Sequence, residues 1–278
     1  MSDTIEKIGH TVVQKGPHND RIYVMKLGAH DVPWIIDYLK DIALENGYSK
    51  IFIKVPASAL GKFLRKGYIM EAHVPRLFNG TEDGFFMARY LKEVRSHEPK
   101  GEHIREVLSK ALALAGRRKP VSLAPGYSYY IARPDDAGEL AQLYRKVFAT
   151  YPFPIFDEGY LKKTMKENIR YFAIRKDDKI IAASSAETDC GLKNVEMTDF
   201  ATHPDHRGKH LSTYLLMKME EEMLEDSMKV AYTIARSLSY PVNSLFSKAG
   251  YAFGGTLVKN TNICGSFESM NVWYKTLG

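Results

Sequence analysis

The residues best suited to binding chemistry lie between Asn194 and Leu216, in the stretch NVEMTDFATHPDHRGKHLSTYLL. An extended segment runs into a proline-containing turn, and a basic glycine turn then leads into an amphipathic helix predicted over Gly208–Asp226. The first amides of a helix have no partner inside it, and the helix dipole adds positive potential, so they bind anions. Arg207 and Lys209 would add charge there. The pattern predicts a pyrophosphate site, and an ordinary strand–turn–helix with a solvated basic turn is the alternative.

The same stretch carries a carboxylate in the middle of a predicted strand, Asn194–Thr202. The side-chain period of two places Glu196, Thr198 and Phe200 on one face and Asp199 on the other. A buried carboxylate without a partner is costly. Glu196 is therefore predicted to have a chemical role, and a structural ion pair with Arg or Lys is the alternative.

The elements that must position these residues form a mixed α/β pattern that begins at Tyr127. Asp177 and Asp178 form a plausible hairpin turn between two of its strands, and Gly250 is predicted to end its last helix. The predicted strands are Tyr127–Ala132, Tyr171–Arg175, Lys179–Glu187, Asn194–Thr202, Val230–Ala235, Thr256–Ile263 and Phe267–Tyr274. The predicted helices are Asp135–Phe148, Glu158–Glu167, Gly208–Asp226 and Val242–Ala249.

Three units are predicted along the chain: an N-terminal α/β accessory domain at 1–96, a helical linker at 97–126 and a catalytic domain at 127–278. Lys50–Glu71 resembles Lys229–Gly254, because both read as strand, loop, short helix and then Phe-x-basic-x-Gly-Tyr. The N-terminal domain is therefore predicted to be a degenerate copy of the same half-fold. The alternative is that any strand–helix–strand unit that ends in Gly-Tyr looks like this.

Composition limits the function classes. The 278 residues are 45% apolar and 26% charged, which is ordinary for a globular protein of one or two cores. No apolar run approaches the length of a membrane span, and the first residues lack the apolar core of a secretory signal, so we expect a cytoplasmic protein without a membrane partner. Cys190 and Cys264 have no ligand-like spacing, so neither a metal site nor a disulfide is expected.

The net charge of +6 fits a cofactor that carries several phosphates. The longest basic run, Arg117–Lys119, lies in the predicted linker and lacks interleaved aromatic residues, so a nucleic-acid partner is not expected. The sequence leaves open whether the chain forms a homodimer.

The string from His203 to Ser212 resembles the acetyl-CoA loop of the GNAT N-acetyltransferases, whose pattern is Arg/Gln-x-x-Gly-x-Gly/Ala. Arg207 matches the first position, whereas His210 stands where Gly is usual and Ser212 where Gly or Ala is usual. The order of elements across 127–274 is also that of a GNAT fold. The resemblance implies a mixed-sheet GNAT fold preceded by a smaller GNAT-like α/β domain. Nothing in Lys26–Trp34 resembles the loop, so one cofactor per chain is expected.

A narrower resemblance covers the whole chain. The segments YPFPIFD (151–157), EMTDFATHPDHRGKHLS (196–212), the tail from Tyr240, and GYSKIFIKVPAS with VPRLFNGTEDGFFMARYL in the N-terminal half are similar to the β-lysine N-acetyltransferase family. That family acetylates the side-chain amine of β-lysine and so makes the compatible solute Nε-acetyl-β-lysine. The resemblance implies acetyl-CoA as co-substrate, β-lysine as the small-molecule partner and no metal.

The resemblance also implies roles for individual residues. Glu196, or a water that it orients, would be the base in a direct transfer within a ternary complex, without an acyl-enzyme. Glu196 as a ligand of the substrate ammonium group stays open. Asn243 would bind the cofactor, although an N-cap Asn looks identical in sequence. Phe246 stands where many GNAT enzymes have a Tyr general acid, so that role is left unassigned, with Tyr240 and Tyr251 as guesses. The expected cofactor ligands are Phe200, Ala201, Thr202, Arg207, Gly208, Lys209, His210, Leu211, Ser212 and Asn243.

The acceptor would be a diamine with a carboxylate, and the aromatic loop 151–157 would cover it. Its predicted ligands are Asp157, Thr198 and Glu187; Asp189 and Asp199 are further available acids, and Arg170, Arg175 and Arg236 are available cations. Two other functions remain open from the sequence: an acetyltransferase for another amine (a polyamine, lysine or a protein lysine), and a non-catalytic acyl-CoA sensor.

Overall fold

The computed structural model describes residues 3–278. The N-terminal half of this part contains six strands, with a helix after the third and another after the fourth. The strands are β1 (Thr4–Ile8), β2 (Thr11–Gly16), β3 (Arg21–Lys26), β4 (Lys50–Pro56), β5 (Ile69–Phe78) and β6 (Glu82–Tyr90). The helices are α1 (Trp34–Glu45), between β3 and β4, and α2 (Ala57–Leu64), between β4 and β5.

Two helices then connect this half to the C-terminal half, whose elements follow the predicted succession. The connecting helices are α3 (Glu93–Ser96) and α4 (Gly101–Leu112). The later strands are β7 (Tyr127–Ile131), β8 (Ile169–Lys176), β9 (Lys179–Asp189), β10 (Asn194–Thr202), β11 (Val230–Arg236), β12 (Ala252–Ile263) and β13 (Ser266–Thr276). The later helices are α5 (Ala137–Val147), α6 (Glu158–Glu167), α7 (Leu211–Glu225) and α8 (Tyr240–Lys248).

Local chemistry explains why several boundaries are where the sequence predicts them. Asp177 and Asp178, between β8 and β9, both have positive φ angles, of 48° and 58°. This is the type I′ geometry that suits the twist of a two-residue hairpin. Asp157 accepts a hydrogen bond of 2.7 Å from the Tyr160 amide and so caps the start of α6. The hairpin turn fixes the register of β8 with β9, the strand that carries Glu187.

All thirteen strands of residues 3–278 form one sheet, in the order β1-β2-β3-β4-β6-β5-β12-β13-β11-β10-β9-β8-β7. The succession β1-β2-β3-β4-β6-β5 matches β8-β9-β10-β11-β13-β12, and each half has one parallel pair: β3 with β4 and β10 with β11. A helix, α1 or α7, joins the strands of each parallel pair. The N-terminal half therefore repeats the topology of the C-terminal half without its first strand.

The two predicted copies also agree in detail. Phe63 and Phe246 are completely buried, and their rings meet those of Tyr68 and Tyr251 edge-on at 5.2 and 5.0 Å. The amide of each Tyr donates to the carbonyl of the corresponding Phe. The GNAT fold with a smaller GNAT-like half before it is confirmed.

The halves join where β5 meets β12 through the pair Ala72 and Gly255. A Cβ on Gly255 would lie 2.2 Å from the Glu71 carbonyl oxygen, so only glycine permits this approach. Behind the junction, Tyr23 and Phe52 pack in one apolar cluster with Tyr232 and with other residues of the C-terminal sheet. Strands of the N-terminal half of the sheet therefore pack face to face against β11, β12 and β13, and helices cover the opposite faces of both halves.

Within the described residues, no helix is both long enough and apolar enough to cross a membrane. The same residues contain no cluster of three or more His, Cys, Asp or Glu side chains suited to holding a metal ion.

Candidate active site

A cleft opens in the C-terminal half where two parallel strands diverge. Strands β10 and β11 pair only over Asn194–Glu196 and Val230–Tyr232. Beyond this point the register of β10 with β9 shifts between Thr198 and Ala201, and Asp199 has a φ of +55°. Such a bulge leaves an extra residue unpaired in the ladder. On the side that faces β11, the backbone of β10 has no strand partner beyond Glu196, so the edge near Phe200 is unpaired.

The bulge changes which side chains reach the cleft. Strict alternation places Asp199 on the face opposite Glu196, but both residues line the same cavity, together with Thr198 and Phe200. The expectation for Asp199 was wrong because the left-handed residue breaks the period of two. The Asp199 carboxylate accepts hydrogen bonds from the Ser185 hydroxyl, at 2.5 Å, and from the Tyr151 hydroxyl.

The cavity has a volume of about 140 Å³, and residues of both halves line it. Tyr151 and Phe153 of the aromatic loop lie on one side, and Tyr23 and Phe52 of the N-terminal half on another. Gln14 holds the loop through a hydrogen bond of 2.9 Å from its amide to the Pro152 carbonyl. Most of the lining residues are aromatic or aliphatic, and the cavity suits a small molecule.

Two carboxylates face each other across the β9–β10 pair, because Glu187 is the register partner of Glu196. Burial raises the pKa of Glu196 to about 7, and the negative charges of Glu187 and Asp199 act in the same direction. The Lys54 ammonium, from β4 of the N-terminal half, opposes this shift. Burial likewise raises the pKa of Glu187. The pair can therefore hold or release a proton near neutral pH.

Lys54 is itself held in place at the boundary between the halves. Its ammonium group donates a hydrogen bond of 2.8 Å to the Tyr232 hydroxyl. Despite burial, its pKa lies well above the usual value because of the neighbouring tyrosines and Glu196. Lys54 thus supplies a fixed positive charge beside the two glutamates.

The basic turn after β10 differs from the predicted geometry. Residues Pro204–His206 form a 3₁₀ turn, Gly208 and His210 have φ of +77° and +58°, and α7 begins at Leu211 rather than at Gly208. Two left-handed residues cannot continue a right-handed helix, so its start moves to Leu211. Arg207, Gly208, Lys209 and His210 are all exposed.

The first turn of α7 faces the end of β10, since the hydroxyls of Thr202 and Ser212 lie 3.2 Å apart. A Cβ on Gly208 would meet no atom within 4 Å, so space beside this backbone is open. Exposed amides, a helix N-terminus and three basic side chains around an open turn fit a diphosphate.

Five other residues predicted or offered for the site are already bonded to neighbouring groups. Asn243 is fully buried; its amide donates to the Arg236 and Ser239 carbonyls, and its oxygen accepts from Asn271 and Trp273. This bonding favours a structural role for Asn243.

Asp157 caps α6 and does not line the cavity. The available cations are also engaged: Arg236 pairs with Glu268, Arg170 with Glu222 and Asp226, and Arg175 with Asp136 and Glu139.

The position of the usual Tyr general acid is filled by a buried apolar residue. Phe246 is fully buried, and its ring meets that of Phe200 edge-on at 5.5 Å. Tyr240 is 42% exposed and Tyr251 is buried. Neither lines the cavity that contains Glu196, so a general acid stays unassigned.

Residues of the N-terminal half were missed as contributors to the site. Arg21 and Tyr23 of β3 line the cavity. The sequence motif of the cofactor loop is absent from this half, and nothing local marks a basic residue at the start of an apolar strand as functional. Only the packing of the two halves of the sheet against each other brings Arg21 and Tyr23 to the cavity that contains Glu196.

The fold and the cleft define a class of acetyltransferases, and the chain belongs to the GNAT acetyltransferase family, whose model matches residues 138–251. Within it, the chain is 41% identical over 273 residues to a "Beta-lysine N(6)-acetyltransferase" of Methanococcus maripaludis, covering 98% of each protein. It is also 32% identical to the protein of that name from Methanosarcina mazei, over 86% of this chain and 95% of the relative. "N-acetyltransferase YodP" of Bacillus subtilis is 35% identical over 69% of each protein. The predicted family is confirmed.

Proposed function

We propose that this protein transfers the acetyl group of acetyl-CoA to the N6 amine of β-lysine and releases Nε-acetyl-β-lysine. The observation that carries the proposal is a carboxylate, Glu196, with a pKa of about 7 in a small cavity at the divergence of β10 and β11. Near-full-length similarity to two proteins named as β-lysine N(6)-acetyltransferases supports this choice of acceptor.

The basic turn and the end of β10 are proposed to hold acetyl-CoA. The diphosphate would bind the amides of the turn and of the first turn of α7, from Gly208 to Ser212, with Arg207 and Lys209 adding charge. The backbone of Phe200–Thr202 would pair with the pantetheine arm as an added strand does. A backbone amide of this unpaired edge would polarise the acetyl carbonyl.

The acceptor amine arrives as an ammonium ion and must lose a proton before it attacks. Glu196 takes that proton, directly or through a water it orients, and Glu187 and Thr198 help to hold the ammonium. The new C–N bond forms as the C–S bond breaks, and the thiolate of coenzyme A leaves. Cys190 is exposed, and neither it nor Cys264 lines the cavity, which favours direct transfer over an acyl-enzyme.

Replacing Glu196 tests the proposal. Glu196→Gln keeps the size of the side chain but cannot accept the proton, so kcat with β-lysine should fall about 100- to 1000-fold while the KM for acetyl-CoA is retained. Glu187→Gln is the matched comparison and should raise the KM for β-lysine more than it lowers kcat. Unchanged turnover in Glu196→Gln would contradict the role of Glu196 as base.

The acceptor is tested separately with the intact protein. Steady-state kinetics with β-lysine, α-lysine, spermidine and a lysine-containing peptide should give the highest kcat/KM for β-lysine. A higher kcat/KM for another amine would overturn the assignment of β-lysine as the acceptor, but the protein would still be an N-acetyltransferase. Binding of acetyl-CoA without transfer to any of the amines would instead support the acyl-CoA sensor.

A further inference from the structure

Three buried cations of the N-terminal half contact consecutive residues of β12. The register of β12 with β13 shifts between Leu257 and Thr261, so Val258–Asn260 form an irregular segment. Lys50 donates to the Val258 carbonyl at 2.8 Å, Arg95 to the Lys259 carbonyl at 2.8 Å, and Arg21 to the Asn260 carbonyl. The side chains of all three cations are almost completely buried.

Two of these cations are neutralised by carboxylates, and the third is not. Lys50 pairs with Glu71 at 2.8 Å and Arg95 with Asp20 at 3.4 Å. Arg21, only 3% exposed, has no carboxylate within 4.0 Å among residues 3–278. A buried guanidinium normally requires an anionic partner, because removing it from water is costly.

Two buried polar atoms without a partner belong to residues that line the cavity that contains Glu196. The Arg21 Nε–H has no hydrogen-bond partner, and neither has the side-chain oxygen of Asn260, which is 1% exposed. Both residues line that cavity. Arg21 Nη1 is already fixed by the Asn260 carbonyl and by the Thr261 hydroxyl at 3.2 Å, and the guanidinium lies 5.1 Å from the Tyr23 ring centroid. The side chain is thus preorganised with one free donor edge.

From this arrangement we infer that Arg21 binds the carboxylate of the acceptor, and that Asn260 accepts a hydrogen bond from the amine beside it. The inference rests on the proposed function, since it assigns the two ends of one substrate. In β-lysine a carboxylate and an ammonium lie close together at one end, and the reacting N6 amine lies at the other. A free donor and a free acceptor at Arg21 and Asn260 match the first end, and Glu196 and Glu187 match the second.

The charge of Arg21 persists at neutral pH. Burial lowers its pKa only to about 10, and the negative charge of Glu196 is among the groups that raise it. Because Arg21 lies on β3, the N-terminal half would contribute to the selection of the acceptor, although it lacks a cofactor loop.

Substrates that lack one group test the assignment in the wild-type protein. 1,4-Diaminopentane is β-lysine without its carboxylate, and 6-aminohexanoate lacks the 3-amine. The KM of the wild type should be about 10- to 100-fold higher for 1,4-diaminopentane than for β-lysine, the effect of one charge-assisted contact. Equal KM values for the two would overturn the role of Arg21, whether or not any variant folds.

The Arg21→Met variant completes the test. Its KM for β-lysine should rise about 10- to 100-fold, whereas its KM values for 1,4-diaminopentane and acetyl-CoA stay unchanged. Asn260→Leu should raise the KM for β-lysine and leave that for 6-aminohexanoate unchanged. If a variant raised the KM equally for β-lysine and for the substrate that lacks one group, the replaced residue would have a structural role instead.

Arg95→Met is the matched control, since Arg95 is as buried as Arg21 and contacts the same segment but does not line the cavity. It should lower the melting temperature and keep the preference for β-lysine over 1,4-diaminopentane. The same loss of preference in this control would overturn the inference. A wild-type protein that does not acetylate β-lysine would refute the proposed function itself.

Discussion

At the scale of the residue, Glu196 and Lys54 belong to opposite halves of the chain, yet each shifts the pKa of the other. Burial and the facing Glu187 raise the pKa of Glu196, and Lys54 restrains the rise. A base with a pKa near the working pH is ionised often enough to act and still binds a proton strongly enough to remove it from an ammonium. With Glu196 as the proposed base, the balance between these charges would set the pH range of the enzyme.

Replacing Lys54 should move that range. Since Glu196 must be ionised, kcat/KM should fall about tenfold per pH unit below its pKa of about 7. Lys54→Met removes the positive charge that favours the carboxylate, so the pKa rises and the acidic limb of the pH–rate profile shifts to higher pH. Activity should be lost at pH 6 and largely recovered at pH 9. Lys54→Arg keeps the charge and serves as control; an unshifted profile in Lys54→Met would contradict the coupling.

At the scale of the element, the end of β10 and the start of α7 form one unit. The bulge at Asp199 shifts the pairing of β10 with β9, and the left-handed residues Gly208 and His210 turn the chain before α7 begins at Leu211. The strand and the helix were both predicted from periodicity, whereas the bulge was not. No residue type at 198–201 signals a bulge, because the shift arises from the pairing with β9.

A methyl group at Gly208 tests the cofactor turn. Gly208→Ala should strain a left-handed residue by about 1–2 kcal/mol and disturb the amides proposed to hold the diphosphate, so the KM for acetyl-CoA should rise about tenfold. The KM for β-lysine should stay unchanged.

Gly67→Ala is a close control, because Gly67 has the same φ of +77° and an equally open Cβ position. It should destabilise the fold without changing either KM. A similar rise in the KM for acetyl-CoA in both variants would show that the effect is general instability.

At the scale of the whole molecule, the sheet runs without interruption through both halves. The division at 1–96, 97–126 and 127–278 stays a prediction. Within the connector, α4 belongs with the C-terminal half, because Ala111 joins its core and the Ser247 hydroxyl donates to the Ala111 carbonyl at 2.7 Å. The N-terminal half covers an apolar face that includes Tyr232, Leu257 and Met270.

Removal of the N-terminal half should therefore lower the solubility of the protein and abolish its recognition of the acceptor. A chain of residues 97–278 exposes the apolar face that the N-terminal sheet covers, and it lacks Arg21, Tyr23 and Lys54. It should aggregate, or bind acetyl-CoA without acetylating β-lysine, as sedimentation and steady-state kinetics would show. A monomeric fragment with the wild-type KM for β-lysine would refute this dependence.

The sequence by itself determined the succession of strands and helices, the family, the internal repeat and the placement of Glu196. Each of these depends on periodicity, turn residues or motifs that are local in the chain. Only the tertiary structure decided that Asp199 shares a cavity with Glu196, that Asn243 is fully bonded, that Arg21 lines this cavity and that the charge of Lys54 acts on Glu196. These facts depend on strand pairing and on contact between the two halves of the sheet, which bring together residues far apart in sequence, and no local pattern encodes that contact.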